Sequence, residues 1–178
     1  MRSSTLKRMI VGAVIASGVG PMSATAAEPM AVGLWEQVDE DSGKAESWFR
    51  IGEKNGVYQG AIVKMFPKPG DDPNEKWLCT KCEGEERNAP VLGLTLIKGM
   101  RRNGLAYEGG TIMDPRDGAV YRALMNLSPD GKKLEVRGYL GISLFGRSQV
   151  WNRLPDNAMD PPASAARSPS KGAPARKK

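Results

Sequence analysis

Residues 119–140 read AVYRALMNLSPDGKKLEVRGYL. Tyr121, Ala123, Met125 and Leu127 alternate with Arg122 and Asn126. After Ser128-Pro129-Asp130-Gly131, Leu134, Val136, Gly138 and Leu140 alternate with Glu135, Arg137 and Tyr139. Successive side chains of an extended chain point to opposite sides, so a period of two gives each segment one apolar and one polar face. Between them, Pro presets a turn and Gly supplies the backbone freedom at its exit. The stretch therefore reads as two antiparallel strands, each with one face in a core and one toward water.

The same punctuation runs outward from it. Asp114-Pro115-Arg116-Asp117-Gly118 precedes the pair, and Asn55-Gly56 and Asn103-Gly104 mark two earlier hairpins within Glu53-Lys54-Asn55-Gly56 and Arg101-Arg102-Asn103-Gly104. Asp39 to Gly43 reads as a further turn. Strands are expected at 33–39, 45–51, 57–66, 92–100, 105–113, 119–127, 133–140 and 147–154. No segment after the N-terminal leader holds a helical period over three turns, so helix content is expected to be low, with a single turn within 70–90. The one long connection runs over 67–91.

Eight strands joined by short turns form a meander, and a strongly twisted meander of that size closes on itself and removes its edges. The expected fold is all-β, an eight-stranded antiparallel up-and-down barrel. A two-sheet sandwich would need longer crossovers than the sequence offers. A barrel of eight strands has room for side chains or for one small ligand. The candidate lumen lining is Tyr121, Ala123, Met125, Leu134, Val136 and Gly138, and Gly109, Gly138 and Ala123 are expected to leave space inside.

The two ends of the chain read differently. Arg2, Lys7 and Arg8 precede a short uncharged apolar run over 9–20, and Ala24-Thr25-Ala26 fits a cleavage site, so 1–26 is expected to be a signal peptide. That run is too short to span a hydrocarbon core of about 30 Å, and no transmembrane segment is expected in the mature protein. Residues 155–178, rich in Pro, Ala, Ser, Arg and Lys, are expected to be a disordered basic tail. The domain between, 31–154, has a normal size for one core. The formal charge of +6 belongs to the ends, because residues 28–154 carry equal numbers of acidic and basic side chains. That balance argues against a nucleic-acid-binding face. The tail remains free to touch an anionic envelope partner, and the protein is expected to be periplasmic or secreted.

With no histidine in the chain, Ser-His-Asp and Cys-His catalysis are excluded. Asp39, Glu40, Asp41, Asp114 and Asp117 fall at turns, where Asp bonds its own backbone. No calcium loop, phosphate loop or dinucleotide fingerprint is present. The reading is of a protein that is not an enzyme and takes no metal or cofactor. Cys79-x-x-Cys82 admits a shared zinc site, a redox pair, a free dithiol or a local disulfide. An oxidising compartment favours the disulfide, which would stiffen the long loop as a flap.

Gly33-Leu34-Trp35 opens the first strand. A G-x-W there, with an arginine in the last strand, resembles the calycin (lipocalin-like) arrangement. That resemblance implies a tryptophan plug under an arginine plane, with Arg147 and Arg153 as candidates beside Trp35. A longer string carries a second resemblance. It runs Cys79-x-x-Cys82-x-Gly84, Pro90-x-x-Gly93-Leu94, Gly109-Gly110-x-Ile112-x-Asp114-Pro115-x-x-Gly118-x-x-Tyr121, Val136-Arg137-Gly138-Tyr139-Leu140-Gly141, and Phe145-Gly146-Arg147 followed by Trp151 and Arg153. It is similar to the bacterial secreted family called domain of unknown function 2147, over about 33–154. The resemblance implies an envelope protein with a compact barrel-like domain and implies no activity. The expected function is non-enzymatic binding of a small apolar or amphipathic ligand. The alternative is an envelope structural or interaction module without one.

Overall fold

The computed structural model describes residues 28–72 and 75–160. The expected signal peptide and residues 161–178 of the expected tail lie outside the described residues, while 155–160 form two turns, with Ala158 N–H donating to Pro155 O and Asp160 N–H to Asn157 O. The eight strands are β1 (Gly33–Val38), β2 (Ala45–Lys54), β3 (Val57–Met65), β4 (Thr95–Asn103), β5 (Ala106–Met113), β6 (Val120–Leu127), β7 (Lys133–Tyr139) and β8 (Gly146–Leu154). Each pairs antiparallel with the next, and β1 pairs with β8 through Leu34–Leu154, Trp35–Arg153 and Glu36–Asn152, so the sheet is a closed barrel in sequence order. Register shifts in β1, β2, β3 and β5 bend the strands as closure requires.

Helix is confined, among the described residues, to two short 3₁₀ turns. Gly84–Glu86 lies where a turn was expected, and Ser143–Phe145 lies between β7 and β8, where the apolar run 140–145 had given no sign of one. Strand boundaries differ most in β4, expected over 92–100 and found three residues later. Arg101 and Arg102 read as part of a turn in the sequence, yet they continue the ladder opposite Glu108 and Tyr107, and the hairpin needs only Gly104 and Leu105. Arg101 is exposed to water, and Arg102, on the same face as buried Tyr107, finds partners at the end of the barrel in Glu28 and Pro29 O. The residues before it, Gly93 and Leu94, are tied instead into loop hydrogen bonds with Ile62. Leu140, expected on the inner face of the seventh strand, lies beyond its end and is 65% exposed.

Burial alternates along the strands as a period of two demands. Tyr121, Ala123, Met125 and Leu127 of β6 point in, and β8 turns Trp151 in while Val150 is exposed. The barrel is not filled evenly. Around Trp35, the half holding Ile51, Tyr58, Ile97, Met100, Tyr107, Met125 and Leu134 is packed solid. Tyr58 meets Tyr107 edge-on at 4.8 Å. Each such side chain contributes about 1.5–3 kcal/mol on burial. The hairpins β2–β3, β4–β5 and β6–β7 lie at this packed end, and the other connections, including 66–94, lie at the opposite one.

Candidate functional site

The packed end is sealed by the segment leading into β1. Trp35 is fully buried, and its indole N–H donates to Ala31 O at 2.8 Å. The Ala31 N–H donates to the Tyr107 hydroxyl at 2.8 Å. Arg153 lies over Trp35 with its Cζ 4.2 Å from the ring centroid, and its guanidinium donates to the carbonyls of Met30, Val32 and Gly131. Arg102 holds the same segment through Glu28 and Pro29 O. Gly33 has a left-handed φ of 137°, and a Cβ there would stand 2.6 Å from Arg153 Nη1, so the G of the G-x-W pattern makes room for the arginine. Burial lowers the Arg153 pKa and raises that of Tyr107. Of the two arginines considered for this position, the geometry takes Arg153. Arg147 stands on the same inward register of β8 but at the far end, where it is exposed and 3.4 Å from Glu40. Six residues of a strand separate the two by about 20 Å, so they cannot share a site.

At that far end the barrel opens into a cavity of about 880 Å³. Phe49, Ile62, Leu96, Ile112, Val136 and Trp151 form its apolar wall. Phe49 and Trp151 stack at 4.3 Å with 20° between the rings. Of the candidate lumen residues, Tyr121, Val136 and Gly138 line this cavity, whereas Ala123, Met125 and Leu134 belong to the packed half. Gly109 lies outside both. It is exposed where the β5–β6 register shifts, and Gly110 is the glycine turned inward. A bulge shifts facing by one residue, which a strict alternation read from the sequence does not anticipate.

One strip of the wall is polar. Ser47 of β2 donates to Gln37 Oε1 of β1, and Gln37 Nε2 donates to Gln149 Oε1 of β8 at 2.9 Å. All three line the cavity. The Trp151 indole nitrogen is buried and has no hydrogen-bond partner among the described residues. Sequence reasoning assigned no role to Gln37, Ser47, Phe49, Gln149 or Trp151. The available signal was a polar residue at an inward position: Arg147, Gln149, Trp151 and Arg153 alternate along β8, and a polar side chain on a core face asks for a partner.

The rim is charged. Asp39, Glu40, Asp41, Glu46, Asp114 and Asp117 stand there against Lys68, Arg116 and Arg147. The Arg116 guanidinium holds the Asp114 carboxyl below its ordinary value. The backbone N–H of Ser42 does the same for Asp39, and Glu46 beside Lys68 raises the ammonium. Among the described residues no three His, Cys, Asp or Glu side chains are grouped to hold a metal ion.

Cys79 and Cys82 form a disulfide, and both are buried. Cys82 Sγ packs 3.4 Å from Met113 Sδ, and Cys79 Sγ lies 3.4 Å from Pro115 O. A Cβ on Gly118, whose φ is 76°, would stand 2.1 Å from Lys81 O. The disulfide loop is thus fastened to the β5–β6 turn, and Trp77, Leu78 and Thr80 from the same connection complete the cavity wall.

A family model described as "Uncharacterized protein conserved in bacteria (DUF2147)" matches residues 33–153, the span from Gly33 to Arg153. A solved structure described as "Protein HP1028 from the human pathogen Helicobacter pylori belongs to the lipocalin family" is similar to this chain with a TM-score of 0.60 at 19% identity, over 72% of this chain and 86% of that one. At that identity the likeness speaks for the fold, a lipocalin-like barrel. No curated protein matches the chain.

Proposed function

This chain belongs to that bacterial family of uncharacterised proteins, and from its fold and site we propose that it is a non-enzymatic carrier of a small apolar or amphipathic molecule in the bacterial periplasm or exterior. The observation that carries this reading is the asymmetry of the barrel: one half is solid with side chains, and the other holds a cavity of about 880 Å³ floored by stacked Phe49 and Trp151. An apolar pocket of several hundred cubic ångströms with a few placed polar groups is the ordinary form of a small-molecule site. The leader-like N-terminus, the bacterial family and the buried cysteine pair support a location outside the cytoplasm. Among the described residues no helix is long and apolar enough to cross a membrane.

The test is native mass spectrometry of protein purified from the secreting cell, together with titration of the apolar fluorophore N-phenyl-1-naphthylamine. A co-purified small molecule, or saturable one-to-one binding that quenches tryptophan emission, supports the reading. Protein that is bare and also does not bind the fluorophore overturns it.

A second reading, an envelope interaction module, is favoured by a specific observation. Leu140, Ile142 and Leu144 project at the open end with exposures of 65, 61 and 75%. Pull-down with full-length protein and with residues 155–178 removed tests the part the basic tail would play. Equal recovery of every partner counts against a role for the tail.

A further inference from the structure

Residues 140–145, between β7 and β8, read Leu-Gly-Ile-Ser-Leu-Phe and carry no charge. Leu140, Ile142 and Leu144 are the three most exposed large apolar side chains among the described residues. The loop that presents them is held in place. Arg137 of β7 donates from Nε to Ser143 O at 2.7 Å and from Nη2 to Leu144 O at 3.2 Å, and from Nη1 to the Ser148 hydroxyl of β8 at 2.8 Å. One guanidinium thus satisfies the backbone of the loop and ties its exit to the next strand. The exit is close-packed as well, since a Cβ on Gly146 would stand 2.7 Å from Gly138 O. Apolar surface held out in water in this way marks a contact site.

The same surface continues into the cavity. Leu140 lines the mouth, and so does the half-exposed Leu78 from the 66–94 connection. Val120, also exposed, begins β6 two residues beyond the Arg122–Tyr139 pair, beside the loop.

We infer that this loop docks the mouth of the barrel on a phospholipid bilayer, with Ile142 and Leu144 entering the acyl region. The inference rests on the carrier reading for its purpose. A molecule suited to an apolar cavity dissolves in a bilayer, and docking lets it pass between the two without crossing water. A second copy of the chain fits the loop less well. A stable dimer buries about 800 Å² on each side, about 20–30 residues, whereas this is a narrow projecting tip. Six carboxylates against three cations on the rim also set one mouth against another by like charge. A bilayer has no shape to match and takes a narrow apolar tip.

The experiment is flotation of the full chain with phosphatidylcholine vesicles, whose headgroups offer a basic tail no net charge. It compares the unaltered chain, the double variant Ile142→Ser with Leu144→Ser, Leu144→Ser alone, and Val150→Ser. Val150 is exposed too, but it lies on the outer wall of β8 opposite Glu135, away from the mouth. None of the three residues lines the cavity. The unaltered chain and Val150→Ser should float alike. The double variant should bind at least about tenfold more weakly, and Leu144→Ser about threefold. Circular dichroism and titration of N-phenyl-1-naphthylamine should be unchanged in all of them.

No flotation of the unaltered chain, or equal flotation of the folded variants, overturns the inference while the carrier reading stands. A dimer in sedimentation velocity that dissociates in the double variant gives the loop to a second copy and overturns it too. A chain that floats through this loop, yet is bare and does not bind the fluorophore, keeps the docking and loses the carrier reading.

Discussion

Arg153 and Trp35 are cross-strand partners in the β1–β8 seam, and the guanidinium of one lies 4.2 Å from the ring centroid of the other. The contact over the buried indole therefore also lies in the seam that closes the barrel. Removing the arginine should loosen both. Arg153→Ala loses the cation–π contact and leaves the carbonyls of Met30, Val32 and Gly131 without their donor. The expected cost is about 2–4 kcal/mol in denaturant unfolding, with Arg153→Lys intermediate because it keeps charge but not the three-way fork. An unchanged midpoint for Arg153→Ala would show that the seam holds without that contact.

Filling the cavity and hollowing the core should have opposite consequences. Val136→Trp places bulk in the open half and is expected to abolish binding of N-phenyl-1-naphthylamine while the protein stays folded by circular dichroism. Met125→Ala empties a site in the packed half, where the side chain is fully buried. It should cost about 2–5 kcal/mol and leave the fluorophore affinity within about twofold. Reversal of these two outcomes would place the ligand in the wrong half of the barrel.

Gly118 is the point where the disulfide loop meets the β5–β6 turn. Gly118→Ala forces a Cβ against Lys81 O in a backbone conformation that alanine avoids. The expected loss is about 1–3 kcal/mol, and limited proteolysis should cut first within 66–94. Cleavage elsewhere, with that connection intact, would contradict the fastening described above.

The disulfide closes a very short loop, so its loss should be modest. Cys79→Ser with Cys82→Ser is expected to lower stability by about 2 kcal/mol and to leave the barrel folded. Complete unfolding on reduction would instead make the bond essential to the whole sheet.

Acid should act on the open end through Asp114. Its pKa is lowered, chiefly by the hydrogen bonds from Arg116. A carboxyl with a depressed folded pKa stabilises the protein above its unfolded value, near 3.8, and that contribution disappears as the pH falls through the lower folded value. Stability should therefore be flat in this respect at neutral pH and decline below about pH 4. Asp114→Asn should make the decline shallower, with Asp39 and Asp130, also lowered, supplying the rest. An identical acid limb in the variant would rule out the contribution of Asp114.

The strand order, the low helix content and the closure of the barrel were legible in the chain because they rest on local patterns. Alternation over 119–140 and turns such as Asn55-Gly56 and Asp130-Gly131 act within a few residues, and a meander of eight such strands has one economical way to hide its edges. The tryptophan of the G-x-W pattern was equally visible at its place in the first strand, where it is buried under Arg153. Local pattern was silent on everything that depends on several strands at once. Arg147 and Arg153 have the same inward parity, and only the seam register puts one over Trp35 and the other at the mouth. Tyr121 and Met125 share a face of one strand, yet one lines a cavity and the other is packed solid, because what fills the space opposite them comes from distant strands. The bulge at Gly109 and the polar strip from Ser47 through Gln37 to Gln149 are likewise products of register. Periodicity says which way a side chain points; the summed volumes and offsets of eight strands decide what it meets there.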